Sequence, residues 1–224
     1  MGMGRPKKTE TGAFPTRERI LATAIELFAR YGYDAVSVRD ITKALGLNEA
    51  SLYNHFTNKA DLLASIFRRL DERLIRPAFT SLPPGIFQGE GPFDLAEFLV
   101  NGARRFFRRA DHDTLLTWRI LMSNQYRYEA ARDSVRTHLL EAPRLFFTDI
   151  LSSLKEAGRI PQGTDCESVG RVIAAVFFDY SFRSNLDIAW NEEAVEEDED
   201  EEDLKRLGED LKLVASALKT DPAA

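Results

Sequence analysis

The side chains best able to hydrogen-bond a partner are concentrated between residues 37 and 59, where Ser, Arg, Lys, Glu, Tyr, Asn and His recur at short intervals. The three histidines and the single cysteine, His55, His112, His138 and Cys166, show no metal-ligand spacing. His112 and His138 stand among carboxylates and could in principle do acid–base work. No nucleophile elbow, phosphate loop or metal motif accompanies them, so we expect no enzyme, no cofactor and no metal site.

Charge is distributed unevenly along the 224 residues. The chain has 30 Lys and Arg against 36 Asp and Glu, a formal charge of -6 and a pI near 5.3. Residues 1–60, however, hold nine basic and six acidic side chains, whereas ten acids fall in the single run 192–203. This asymmetry indicates an N-terminal end that faces nucleic acid and a separate acidic segment, which we expect to be a solvated, mobile loop far from that partner.

Composition bounds the class of protein. A hydrophobic content of 44% with 29% charged residues is ordinary for a globular chain with a sizeable core. No apolar stretch approaches the roughly 20 residues of a membrane span, and the basic, polar N-terminus has no signal-like apolar core. Cys166 alone excludes an internal disulfide framework and fits a reducing compartment. We therefore expect a cytoplasmic protein without a membrane partner.

Apolar residues recur at helical spacing almost throughout the chain. One stripe runs over 16–31 and ends at Gly32, and Ser37, Asn48 and Asn58 stand where caps would open the next three helices. Further helices are predicted at about 94–110, 112–126, 129–157 (with a kink or break at Pro143), 165–189 and 203–219. No window alternates as a strand would. The sequence predicts an all-α protein of about nine helices.

Residues 37–59 have the layout of a helix-turn-helix. Two short helices meet at Gly46. The inward residues of the first are predicted to be Val38, Ile41, Ala44 and Leu45. The angle between the helices would be filled by Ile41, Leu45, Leu47 and Leu52. The second, or recognition, helix is predicted to offer a solvent-facing surface with few apolar side chains: Glu49, Ala50, Ser51, Tyr53, Asn54 and His55. In this motif that surface enters the major groove of DNA.

Residues 15–70 closely resemble the TetR (tetracycline-repressor-like) family of bacterial transcriptional regulators. The resemblance rests on Leu-Phe-Ala-Arg-Tyr-Gly-Tyr ending the first helix, on Val-Ser-Val-Arg-Asp-Ile, and on Leu-Tyr-Asn-His-Phe with Asn-Lys following. Thr42 departs from the small residue usual in the family, so the two motif helices are expected to sit slightly apart. The resemblance implies a three-helix DNA-binding domain over 15–60, preceded by a flexible basic arm (1–14) and followed by a helical ligand-binding and dimerisation domain over 61–224.

The resemblance also assigns DNA contacts. Tyr53, His55 and Lys59 match positions that typically contact the sugar–phosphate backbone, and Ser37, Arg39 and Lys43 can add a hydroxyl and positive charge. The candidates for base readout are Glu49, Ala50, Ser51 and Asn54. In the N-terminal arm, Arg5, Lys7 and Lys8 are candidates for a minor-groove contact.

Each assignment has a simpler alternative. Tyr53 could only pack, Ser37 could only cap its helix, and His55 could be a structural histidine. Arg39 and Lys43 could be solvated surface charges, and Glu49 could be a favourable acid in the first turn of its helix. The arm could be a basic tail that reads no sequence.

The C-terminal part is rich in aromatic residues that would suit an apolar or aromatic ligand, although any one of them could be plain core. The pocket candidates are Phe107, Trp118, Met122, Tyr126, Phe147, Phe177 and Tyr180. An arginine cluster over 104–109 is predicted to be a solvated face. The last two helices are predicted to pair two protomers in a four-helix bundle, with intrachain packing as the alternative. The interface candidates are Val169, Ile173, Val176, Leu204, Leu207, Leu211, Val214 and Leu218.

Together these observations predict a sequence-specific regulator that binds double-stranded DNA. We expect a homodimeric repressor, released from a pseudo-palindromic operator by a small apolar or aromatic effector of unknown identity. One alternative keeps the fold but places it under a protein partner or under no ligand. The other alternative is an enzyme, but the sequence contains no catalytic motif that would support it.

Overall fold

The computed structural model describes residues 16–80, 82, 85–89, 93–190 and 197–219, with the side chains at 184–201 and 219 left out of the description. Within these residues the chain forms nine helices and no strand, as the sequence predicts. The helices are α1 Thr16–Tyr31, α2 Val38–Leu45, α3 Glu49–Tyr53, α4 Lys59–Leu70 with an extension, α5 Leu95–Phe107, α6 His112–Asn124, α7 Glu129–Ser134 with an extension, α8 Cys166–Trp190 and α9 Glu197–Lys219.

The helices of the N-terminal unit begin and end where short-range signals place them. Ser37 and Asp40 form a reciprocal capping box at α2, and the side chain of Asn48 accepts a hydrogen bond from the Ser51 amide at α3. Asn58 caps α4 in the same way by accepting from the Asp61 amide. Gly46 ends α2 with φ at 65°, a left-handed conformation that a side chain would strain.

Two long helices contain prolines without breaking. α4 continues through a π-helical stretch, Asp71–Ile75, into Arg76–Ala78, and α7 continues through Val135–Glu141 into Ala142–Glu156. Pro77 and Pro143 each follow directly after these stretches, at the start of the resumed α-helix. A π-helical turn changes the hydrogen-bond register, so the missing proline N–H is accommodated there. Of the predicted kink or break at Pro143, the break is wrong: the helix runs from 129 to 156 and departs from the α-helical hydrogen-bond pattern just before this proline.

Two clusters of buried side chains hold the helices together. One joins α1, α2, α3 and α4 to Leu116, Ile120 and Leu121 of α6, and so runs across the domain boundary predicted near residue 60. The other is formed by α5, the second half of α7, α8 and α9. Phe79, just after α4, packs against both clusters. The end of α4 therefore lies where the two cores meet.

The last helix begins earlier than the sequence predicted. α9 starts at Glu197, so residues 197–203 of the acidic run belong to a helix rather than to a loop. Glutamate has a high helix propensity. Acidic side chains in the first turns also interact favourably with the positive end of the helix dipole, and this attraction offsets the repulsion between neighbouring acids. Among the described helices, none is long and apolar enough to cross a bilayer.

Candidate nucleic-acid interface and ligand cavity

The angle between α2 and α3 is held by buried residues on their inner faces. Ile41 and Leu52 are fully buried, and Phe56, just after α3, is buried beside them. Thr42 is also buried, with its hydroxyl donating to the carbonyl of Arg39 at 3.1 Å. Thr42 thus satisfies its polar atom within α2 and faces inward in place of the exposed Ala44, which the sequence had assigned to the inner face.

The outer faces of α2 and α3 carry the predicted DNA-contacting side chains. Nearly all of these side chains are exposed to solvent: Ser37, Arg39, Lys43, Glu49, Ala50, Tyr53, Asn54 and His55. Tyr53 is 50% exposed, which argues against a purely packing role. Arg39 and Lys43 lie one turn apart on α2, and no ion pair occupies either of them among the described residues. The unit therefore presents free donors and positive charge on one rigid surface.

Two serines of this surface are already engaged in caps. The Ser37 hydroxyl donates to the Asp40 carboxylate at 2.6 Å, and hydrogen bonds from Ser37 hold the pKa of Asp40 below its ordinary value. The Ser51 hydroxyl donates to Asn48 Oδ1 at 2.9 Å, and Ser51 is half-buried. Both serines therefore have structural roles, and a DNA contact by either hydroxyl requires a shared or exchanged hydrogen bond.

The recognition helix is shorter than the sequence predicted. α3 ends at Tyr53, and Asn54 and His55 follow it in a turn, although both had been placed on the helix surface. Asn54 keeps α-helical backbone angles as the C-cap residue and remains exposed, so its amide is still directed outward.

Lys59, one of the predicted phosphate contacts, is partly occupied inside the protein. Its ammonium donates to the carbonyl of Tyr33 and lies 4.1 Å from the centre of the Tyr33 ring and 5.7 Å from that of Phe28. Burial lowers the pKa of Lys59, against the opposing influence of the Asp34 charge. Lys59 is half-buried and pins α4 to the α1–α2 loop, which the sequence did not indicate.

Arg17 is a basic residue near this surface that the sequence interpretation did not include. Its guanidinium lies 5.2 Å from the centre of the Phe56 ring, directly after α3, and the side chain is 44% exposed. The Arg-to-aromatic pairing joins residues 39 positions apart, so no short-range pattern could reveal it. The predicted minor-groove residues Arg5, Lys7 and Lys8 lie outside the described residues.

Polar contacts also fasten the three-helix unit to the C-terminal helices. Arg69 of α4 lies 2.9 Å from Asp113 of α6 and 3.5 Å from Glu18 of α1, and its side chain is only 18% exposed. Asp34, in the α1–α2 loop, accepts hydrogen bonds from Tyr128 and pairs with Arg127 at 2.7 Å. Arg127 is therefore engaged in an ion pair within the chain.

A cavity of about 220 Å³ opens where the two cores meet. Its walls are mostly aromatic and aliphatic, with two arginines: Pro77, Ala78, Phe79, Leu82, Phe98, Leu99, Gly102, Arg105, Phe106, Arg109, Phe146, Phe147, Ile150 and Phe177. We call this site the phenylalanine cavity. Pro77 and Ala78 are the last residues of α4, and Phe79 follows them directly. A single helix therefore connects the cavity with the three-helix unit.

The predicted pocket residues divide into several groups. Phe147 and Phe177 line the phenylalanine cavity, and Trp118 lines a much smaller neighbouring hollow of about 30 Å³. Phe107 stacks edge-on against buried Tyr180 with ring centres 4.7 Å apart, and neither lines either space. Met122 packs on the first core. Tyr126 is 94% exposed, so its assignment to a pocket was wrong.

The arginine cluster was also misjudged in part. Arg105 and Arg109 are exposed, as a solvated face would be, but they stand at the wall of the phenylalanine cavity. Composition alone could not show this, because the cavity wall is completed by α4 and α7, far away in the sequence.

Half of the predicted dimer residues are buried within one chain. Ile173 of α8 and Leu204, Leu207 and Leu211 of α9 are each less than 10% exposed and belong to the second core. The regular spacing of the three leucines therefore describes a seam within one chain, where α9 packs against α5 and α8. This burial corrects the assignment of all four residues to the dimer interface. Val169, Val176, Val214 and Leu218 are half-buried at the margin of that core.

This chain combines a helix-turn-helix near its N-terminal end with a C-terminal helical unit, and comparisons with known proteins find the same architecture. Residues 20–66 match the model of the family described as bacterial regulatory proteins, tetR family. The HTH-type transcriptional regulator AcrR of Shigella flexneri is 38% identical over 61 residues, covering 27% of this chain and 28% of AcrR. The HTH-type transcriptional repressor Rv1474c of Mycobacterium tuberculosis is 35% identical over 69 residues, covering 31% of this chain and 37% of that repressor. The structure of a SmeT–triclosan complex superposes with a TM-score of 0.64 at 19% identity, over 92% of this chain and 93% of SmeT.

The N-terminal end of the chain, residues 20–66, therefore resembles the DNA-binding part of the TetR family. Its sequence likeness to the two curated relatives spans only about a third of their length and falls on the DNA-binding end. The likeness to SmeT extends to the C-terminal helices, where it concerns the fold. Members of the family that this end resembles are transcriptional regulators and not enzymes.

Proposed function

We propose that this protein is a homodimeric repressor that binds a pseudo-palindromic operator and leaves it when a small molecule occupies the phenylalanine cavity. The observation that carries the proposal is the outer face of α2 and α3. Arg39, Lys43 and Tyr53 are exposed there and free of ion pairs among the described residues, on helices anchored by the fully buried Ile41 and Leu52. Such a surface suits phosphate contacts, and the exposed Glu49, Ala50 and Asn54 are our candidates for base readout.

The DNA-binding part is tested by selecting bound fragments from genomic DNA and measuring affinity for the recovered operator at several salt concentrations. Lys43→Ala and Tyr53→Ala are expected to weaken binding to all DNA sequences, and Lys43→Ala should reduce the salt slope by about one. Lys212→Ala, at an exposed position on α9, is the matched control and should change neither. Failure to recover any preferred sequence would contradict an operator-specific regulator.

The ligand-binding part is supported by the course of α4. This helix begins at the α1–α3 unit, where Lys59 contacts Tyr33, and its extension ends in the wall of the cavity. A ligand between Phe79 and the facing helices would shift the end of α4 and with it the three-helix unit. SmeT, which shares the fold, was solved with triclosan. The alternative is that a protein partner, or no ligand at all, controls DNA binding. In that case no small molecule would occupy the cavity while the protein works.

Gly102 allows a direct test of the cavity. It lines the cavity on α5, and a Cβ added there meets no atom within 4 Å. Gly102→Leu should fill the space while favouring the helix, so DNA binding is kept and release by any effector is lost. Gly102→Ala, which adds one carbon, is the control. Effector release that survives Gly102→Leu unchanged would contradict a ligand site in this cavity.

For the homodimer, the outward faces of α8 and α9 support a revised surface. Val172 is 50% exposed and Leu213 is 69% exposed, and both lie opposite the side chains that fill the second core. Four such helices from two protomers would bury these apolar residues and place two α3 helices for the half-sites of one operator.

A further inference from the structure

The phenylalanine cavity combines an apolar interior with charge of a single sign at its wall. The described residues that line it include two charged side chains, Arg105 and Arg109, and no carboxylate. Neither arginine forms an ion pair or a side-chain hydrogen bond with the described residues. Their neighbour Arg104, in contrast, contacts Asn101. Two guanidinium groups that line the same cavity and have no partner among the described residues can together bind an anion.

The rest of the wall specifies the body of the ligand. Phe79 lies 5.7 Å from Phe106 and 5.5 Å from Phe146, measured between ring centres, and Phe98 and Phe147 complete the aromatic lining. Ring edges and faces at such spacing favour an aromatic or other flat apolar group. An apolar cavity of about 150 Å³ holds benzene, so one of about 220 Å³ has room for one ring with a short side chain.

A neighbouring hollow carries negatively charged side chains at its wall. It shares Leu82, Phe146 and Ile150 with the phenylalanine cavity, and its own wall includes Asp149 and Glu156. These carboxylates are exposed and belong to the polar side of α7, where they do not line the aromatic space itself. A ligand seated among the phenylalanines therefore meets the arginines first.

Resting on the proposed ligand-binding function, we infer that the effector is an organic anion: a single-ring aromatic carboxylate, with its ring among Phe79, Phe106 and Phe146 and its carboxylate at Arg105 and Arg109. The guanidinium groups pair with the carboxylate oxygens while the cavity removes the ring from water. Selection against uncharged and cationic analogues follows, because neither can pair with the two arginines.

Three probes of one skeleton test this inference: 3-phenylpropanoate, 3-phenylpropanamide and 3-phenylpropylamine, titrated calorimetrically into the full-length protein without DNA. The acid is expected to bind at least tenfold more tightly than the amide, and the amine more weakly still. Arg105→Gln and Arg109→Gln should each weaken the acid by about tenfold and leave the amide within about twofold. Arg108→Gln, at an exposed position that does not line the cavity, is the matched control and should leave both unchanged.

Several results would overturn the inference. They are equal binding of the three probes, tighter binding of the amine, no detectable binding of the acid, or an acid affinity that does not respond to either arginine substitution. The proposed function fails separately, through the DNA and Gly102→Leu experiments, because the calorimetric titration involves neither operator nor release.

Discussion

The hydroxyl of Tyr128 donates a hydrogen bond to the carboxylate of Asp34, across 94 positions of sequence. The bond joins the α6–α7 connection to the α1–α2 loop, and Tyr128 also packs its ring against that of Tyr33, with ring centres 4.7 Å apart. Tyr33 in turn holds the Lys59 ammonium at the start of α4. The position of the DNA-binding unit is thus determined at two places, at the base of α4 and at this loop.

The Asp34 contact predicts a specific dependence of stability on pH. The hydrogen bond from Tyr128, with help from Arg127, lowers the pKa of Asp34 in the folded protein. A carboxyl whose pKa is lowered by folding contributes stability above its unfolded pKa of about 3.9, and this contribution is lost as the pH falls through the folded pKa. Asp34→Asn should therefore lower the melting temperature at pH 7 and reduce the further loss between about pH 5 and pH 3. The control is Asp149→Asn, an exposed carboxylate on α7. Identical pH profiles for wild type and Asp34→Asn would refute the assignment.

Arg69 should matter far more to stability than its neighbour Arg68. Arg69 is 18% exposed and pairs with Asp113 at 2.9 Å, whereas Arg68 is 55% exposed and lies 4.0 Å from Asp61. Removing Arg69 leaves a partly buried carboxylate without its cation, so Arg69→Ala should cost about 2 kcal/mol of unfolding free energy. Arg68→Ala should cost less than about 0.5 kcal/mol. Urea denaturation of the two variants measures both values. Equal losses of unfolding free energy would argue against a role for Arg69 in holding α1, α4 and α6 together.

Asn54 should affect specificity rather than general affinity. It is exposed just after α3, and an amide side chain can pair with adenine in the major groove. Asn54→Ala is expected to cost about 1–3 kcal/mol on the selected operator and little on unrelated DNA, with an unchanged salt slope. Equal weakening on every DNA would remove Asn54 from the base-reading residues.

Two leucines of α9 distinguish the intrachain seam from the proposed dimer surface. Leu207 is 2% exposed and Leu213 is 69% exposed. Leu207→Ala should destabilise the fold by about 2–4 kcal/mol, because it leaves a cavity in the second core. Leu213→Glu should leave the fold intact but place charge in an apolar interface and shift the protein toward monomers. Thermal denaturation and sedimentation velocity measure the two effects. A stable dimer of Leu213→Glu would exclude this face of α9 from the interface.

Features that depend on neighbours within four residues were predictable from the sequence. The capping box of Ser37 and Asp40, the cap at Asn48 and the left-handed Gly46 place α2 and α3, and each requires only local hydrogen bonds or backbone freedom. The family resemblance added the predicted DNA contacts of Tyr53 and Asn54, which stay predictions. The length of α3 was missed by two residues, because helix ends are set by the marginal balance of the last turn.

Features that depend on distant segments were decided by the tertiary structure. Lys59 meets Tyr33 across 26 positions and Arg69 meets Asp113 across 44, and neither pairing leaves a periodic signal. The same holds for burial: a helical stripe such as that of Leu204, Leu207 and Leu211 shows that a face is covered but not which surface covers it. The sequence by itself determined the helices and the exposed polar surface that we propose faces DNA, because both follow from local chemistry. Only the packing of α4, α5, α7 and α8 decided which aromatic residues enclose a cavity and placed Arg105 and Arg109 at its wall, because a cavity is defined by side chains that the fold brings together.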